Sequence, residues 1–63
     1  MKNYIKELRE RRNLTKEDLA KLLETSRQKI ISLEKEKYNP SIMLAYKISK
    51  VFNKIIEEIF IFE

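Results

Sequence analysis

Arg27 and Gln28 stand side by side directly after Ser26, with Ile31 and Ser32 four residues further along. Arginine is the bidentate donor that matches the O6 and N7 edge of guanine, and glutamine pairs in the same way with adenine. Four residues is about one helical turn, so on a helix Ile31 and Ser32 extend the same face. Ser32 then meets a base edge and Ile31 a thymine methyl, although Ile31 fits a partly buried core position equally well. Which of Arg27 and Gln28 takes a base and which a phosphate is open. Catalytic chemistry finds no comparable set. The chain has no His, no Cys and no glycine, which removes the usual nucleophiles, metal ligands and phosphate loops. Glu57 and Glu58 read as an exposed helix face. No enzymatic activity, metal or cofactor is expected.

Those side chains must be held by short elements. The chain has 63 residues, 38% charged and 43% hydrophobic, and is read as one globular domain over residues 1–63. So small a core has a thin stability margin, with neither disulfide nor zinc to widen it. No apolar run nears the roughly 18 residues of a membrane span, and no signal-peptide pattern is present. A cytoplasmic protein without a membrane partner is the expectation. The formal charge of +4 favours an anionic partner. Residues 1–13 are net +3, residues 14–36 neutral and residues 37–63 net +1, so the fold rather than a basic tail must focus that charge.

Without glycine, and with Pro40 as the only proline, the breaks are read from caps. Ile5 and Leu8 give a first helix over 2–12, closed by Asn13, which tolerates positive φ. Thr15 caps a second helix ending near Leu23, with Glu17 and Asp18 in its first turn and Leu14 stapled onto Leu19. Thr25 or Ser26 caps a third helix that runs to about Lys35, Gln28 being the capping-box partner of Thr25. Ser41 caps a fourth, with Ile42, Ala45, Ile48, Val51 and Phe52 along its buried side. Asn53 and Lys54 turn into a last helix over 55–60. No segment alternates long enough to build a sheet. The pattern predicts an all-α, compact five-helix bundle.

The segment from about 16 to 35 holds fixed constraints: small Ala20 where a second helix must cross, Glu24 and Thr25 in a tight turn, and Ile30 and Leu33 closing over Leu19 and Leu23. That is the geometry of a helix-turn-helix, whose second helix enters a major groove while the first lies over the backbone. Phosphate contacts are then expected from Lys16 and the free N–H groups beside it, and from Ser26, Lys29, Lys35, Lys37 and Asn39.

Here the sequence resembles the lambda-repressor/Cro-type (Xre-family) DNA-binding domains. The resemblance rests on Ile5-Lys6-Glu7-Leu8-Arg9, the run Leu14 to Ala20, Ser26-Arg27-Gln28, Ile30 to Glu34, Tyr38-Asn39-Pro40-Ser41 and Ile55 to Phe60. It implies a lambda-repressor-like fold that binds double-stranded DNA sequence-specifically, a transcriptional regulator acting as a repressor and usually as a homodimer on a two-fold operator. It also implies an ion pair between Arg9 and Glu34 that ties the first helix to the third. Family members place glycine where Glu24, Glu36 and Asn53 stand here. Tyr38 is expected to pack over its loop and Tyr46 to sit near the core or the dimer surface. The tail 59–63 is unusually apolar; Ile59 to Phe62 are expected to complete the core, with Phe60, Ile61 and Phe62 forming part of a dimer contact. The alternative from another class is a protein-interaction module, or an antitoxin component, on the same scaffold. Such a module should expose an apolar cluster where Arg27 and Gln28 stand. Non-specific DNA compaction would need more charge than +4.

Overall fold

With no glycine in the chain, four helix ends among the described residues close on other residues in the left-handed region. Asn13 (φ 55°), Glu24 (φ 57°), Glu36 (φ 62°) and Asn53 (φ 53°) all adopt positive φ. The computed structural model describes residues 1–37 and 39–62, and among them form α1 (Ile5–Arg11), α2 (Lys16–Leu22), α3 (Arg27–Glu34), α4 (Ile42–Phe52) and α5 (Ile56–Ile59). Behind α1, α2 and α3 the backbone closes in the same way. Asn13, Glu24 and Glu36 donate to Glu10, Lys21 and Leu33, while Leu14, Thr25 and Lys37 donate to Arg9, Ala20 and Ser32, at 2.9–3.2 Å. These paired bonds satisfy carbonyls that a helix end leaves free, at a cost of about 1–2 kcal/mol for each non-glycine left-handed residue and less for Asn. Three of these positions are those at which the resembled family carries glycine.

The starts are set by side-chain caps. Thr15, Ser26 and Ser41 accept from the backbone N–H of Asp18, Lys29 and Leu44 at 3.0, 3.1 and 3.1 Å. Ser26, not Thr25, therefore caps α3, and Gln28 is no capping-box partner. The third residue of the helix counted from Ser26 is Lys29. Asp18 completes the box on α2 by accepting from the Thr15 N–H at 2.9 Å. The Ile55 side chain offers no acceptor, and α5 starts on half a box, with the Ile55 N–H donating to Glu58 at 3.2 Å.

One core collects Ile5 and Leu8 of α1, Leu19 and Ala20 of α2 with Leu23 behind it, Ile30 and Leu33 of α3, Ala45, Ile48 and Phe52 of α4, then Ile59 and Phe60. Leu14 and Val51 pack against it, half-buried. Ile42 does not: it is 90% exposed. It occupies the first helical position of α4 and stands on the rim of a groove it shares with Ala45 and Ile56.

The first helix begins later than its periodicity predicts, because residues 2–4 bond elsewhere. Tyr4 N–H donates to Ile59 at 2.8 Å and Ile61 N–H to Lys2 at 2.9 Å, pairing Asn3 with Phe60 in an antiparallel bridge. The β-prone tail thus finds a single bridge rather than a sheet, and α5 ends at Ile59 because Phe60 is already extended. Tyr38 and Glu63 lie outside the described residues, so the packing expected of Tyr38 does too.

Candidate nucleic-acid interface

α2 packs against α3 across the turn at Glu24 and Thr25. Ile30 and Leu33 point wholly inward, so the opposite face of α3 is committed to solvent. Arg27, Gln28 and Lys29 are exposed there, and Ile31 and Ser32 are half-buried. Ser26, Gln28, Lys29 and Ser32 line one shallow depression. Arg27 belongs to a second one, with Arg9, Thr15, Lys16 and Glu17. The side chains expected to read and to grip therefore fall into two concavities at the start of α3. Ile31 lies on the flank, half-buried as a core-edge residue would be. The Ser26 hydroxyl oxygen already accepts the Lys29 N–H, which leaves its O–H free to donate.

The remaining candidates sit at the other end. Lys35 and Lys37 are exposed on the turn that closes α3. Asn39 shares a concavity with Met1, Lys2, Ile61 and Phe62, beside the chain termini rather than the start of α3.

Behind the exposed face, Arg9 grips Glu34. The Arg9 Nε–H donates to Oε2 at 2.7 Å, Nη2–H to Oε1 at 3.3 Å and Nη1–H to the Leu14 carbonyl at 2.8 Å. The two side chains are only 10% and 6% exposed, so this is a buried fork rather than a surface pair. The hydrogen bonds to Glu34 hold the guanidinium pKa above its ordinary value, against the opposing effect of burial. At the start of α2 the Asp18 carboxyl is held below its usual pKa, first by the Thr15 backbone N–H, then by the Thr15 hydroxyl and the charge of Lys21.

Two side chains matter that the pattern did not single out, and a third, Asp18, was placed in the first turn of α2 without its capping role. Arg12 donates to the Val51 and Phe52 carbonyls at 2.7 and 3.1 Å and lies over the Phe52 ring, tying α1 to the end of α4. No local pattern marks a contact across so much sequence. Asp18 was readable as the fourth residue of a Thr-x-x-Asp box. Asn3, one residue outside the Tyr4 N-cap, accepts the Ile5 N–H at 3.1 Å and so serves the first free donor of α1.

The tail divides. Phe60 is 1% exposed and enclosed by its own chain, a core residue that only floors the apolar groove beside it. Ile61 is half-buried and Phe62 is 61% exposed. Tyr46 is exposed on α4, beneath the Lys50 ammonium at 5.4 Å.

A short, buttressed helix with a polar outer face, laid across a second helix over a tight turn, defines a helix-turn-helix protein. Residues 5–59 match the model of the helix-turn-helix family of lambda-repressor type. The chain is 59% identical over 63 residues to an uncharacterized HTH-type transcriptional regulator of Methanocaldococcus jannaschii, covering all of this chain and 96% of that one. It is 56% identical to a protein of the same description from Archaeoglobus fulgidus, covering all of this chain and 89% of that one. A Bacillus subtilis relative, the uncharacterized HTH-type transcriptional regulator YgzD, is 42% identical over 60 residues, 95% of this chain and 91% of its own. The chain belongs to this family, a class of DNA-binding regulators and not of enzymes.

Proposed function

We propose that this protein reads a specific operator in double-stranded DNA by laying α3 in the major groove, and that it acts as a repressor. The observation that carries the reading is the gathering of Ser26, Gln28, Lys29 and Ser32 in one concavity, with Arg27 and Lys16 in the next. α3 has eight residues, and a helix about 10–12 Å across with its side chains fits a major groove about 12 Å wide. Arg27 and Gln28 then face base edges, with Ser32 further along the same face and Ile31 on its flank, where a thymine methyl can meet it. Lys16, Ser26 and Lys29 meet phosphates on one side, and Lys35, Lys37 and Asn39 those near the far end of the helix. Repression follows from occupancy, which needs no further contact surface.

The same reading includes a homodimer. Met1, Pro40, Ile42, Ala45, Ile56, Phe60 and Phe62 line an apolar groove away from the polar face of α3. A two-fold axis there places each Phe62 in the partner's groove, with Ile61 beside it, as an isologous contact requires. Phe62→Glu is then expected to halve the sedimentation mass without lowering the melting temperature.

The test is selection of duplexes from a random pool. An enriched inverted repeat, lost when Arg27 and Gln28 become alanine, supports the proposal. Uniform weak binding that vanishes at moderate salt leaves only electrostatics and favours the protein-interaction alternative.

A further inference from the structure

We infer that Asn3 is a positioning residue for the DNA-reading helix, acting on the end of α3 opposite Arg27; this rests on the function proposed above. Its side-chain amide makes three bonds. Nδ2 donates to the Leu33 carbonyl at 2.9 Å and to the Met1 carbonyl at 3.1 Å, while Oδ1 accepts the Ile5 N–H at 3.1 Å. Only this orientation of the amide satisfies all three partners, since two are acceptors and one is a donor. Asn3 thus links the start of α1 to the last turn of α3.

The Leu33 carbonyl is not an idle acceptor. It also receives the Glu36 N–H at 3.0 Å, one of the bonds that close α3 on its left-handed residue. The N-terminal ammonium donates to the Glu36 carbonyl at 3.3 Å, on the same turn. Two bonds from the first three residues therefore grip the segment 33–36, which carries Lys35 and leads into Lys37. Lys2 and Tyr4, on either side of Asn3, are in turn bonded to Ile61 and Ile59. The termini form a clasp, and Asn3 is its hook on α3. Buried Arg9–Glu34 and the helix-turn-helix core fix the body of α3; Asn3 fixes where its last turn and the following lysines sit.

Two variants separate this role from the bond to the Ile5 N–H. Asn3→Asp keeps an oxygen for the Ile5 N–H but turns a second oxygen toward two carbonyls, whereas Asn3→Ala removes every bond. Binding to a selected duplex and to a base-scrambled duplex is measured at a temperature where circular dichroism shows each variant fully folded. Both variants are expected to lose about five- to tenfold in preference for the selected duplex, the worth of one hydrogen bond, on top of any uniform loss through Lys35 and Lys37, whose phosphate contacts weaken both duplexes alike. A merely structural residue would lower the melting temperature and leave that preference intact. Unchanged preference in Asn3→Asp overturns the inference.

A wild-type protein that prefers no duplex would refute the functional reading instead. Amide exchange then decides the anchoring alone. The N–H groups of Glu36 and Lys37 exchange faster in Asn3→Asp if Asn3 holds this turn, and at the wild-type rate if it does not.

Discussion

Replacing Glu34 by alanine removes the carboxylate that Arg9 holds on two of its nitrogens. The side chains are 10% and 6% exposed, so the variant leaves a largely buried guanidinium, at the floor of the depression it shares with Arg27 and Lys16, with the Leu14 carbonyl at 2.8 Å as its remaining hydrogen-bond partner among the described residues. Breaking a buried pair from one side costs about 3–5 kcal/mol, in line with two charge-assisted hydrogen bonds at about 1.5–3 kcal/mol each. A chain of this length has about 3–9 kcal/mol of stability in all. Glu34→Ala should thus stand at the edge of folding, its melting temperature lowered by about 12 °C or more. Urea titration followed by far-ultraviolet circular dichroism measures the loss. Burial also predicts that the loss persists at about 0.5 M salt, where surface pairs are screened. The double variant Arg9→Met, Glu34→Leu removes both charges and should recover most of the stability. A loss under about 1 kcal/mol for Glu34→Ala, additive with Arg9→Met, is what an exposed pair would give and would refute the reasoning. Because the pair fastens α3 to α1, DNA affinity should fall with stability.

Other perturbations follow from the same geometry. Glu36→Gly should stabilise the fold by about 0.5–1 kcal/mol, since relief of left-handed strain exceeds the extra entropy of the unfolded chain; the melting temperature checks it. Glu24→Gly should gain less, because it also loses the 3.1 Å contact with Lys47, an exposed pair worth at most about 1 kcal/mol. Arg12→Met should cost about 1–2 kcal/mol in urea unfolding through the two α4 carbonyls it leaves without a donor. The folded Asp18 carboxyl lies below its unfolded value, so its contribution is present above the ordinary aspartate pKa near ~3.9 and is lost as pH falls through the lower folded value. Asp18→Asn should therefore flatten the acid limb of stability against pH and leave the alkaline limb unchanged.

Much of the scaffold is local chemistry and was legible as such. Thr15, Ser26 and Ser41 lie at helix starts because their hydroxyls satisfy orphan N–H groups, and that preference is written in residue type. Asn13 and Asn53 could be read as left-handed for the same kind of reason. Glu24 and Glu36 could not be read from type, since glutamate carries no such preference; only the resemblance marked them. The missed features depend on distant partners. Ile42 has the spacing of a buried residue, yet its side chain reaches past the last element that could cover it. Residues 2–4 have a helical pattern but are drawn into pairing with the tail, and Phe60 is buried by the same pairing. Arg9–Glu34 was implied by resemblance, but its burial, which multiplies its energetic weight, is visible only in three dimensions. At the candidate site the polar face of α3 was legible from spacing, whereas the hold of Asn3 on its far end depends on where the first residues cross the last turn.

α3 is proposed to read base edges through Arg27 and Gln28. That reading is tested most directly by the affinity of the wild-type chain and of the Arg27→Ala, Gln28→Ala variant for a selected and a base-scrambled duplex at one salt concentration. The wild-type preference is expected to reach at least about 10³-fold. Most of it should be lost in the variant, each bidentate contact being worth about 1–3 kcal/mol, while affinity for the scrambled duplex is largely kept. A preference that survives both substitutions, or one absent from the wild type, would contradict it.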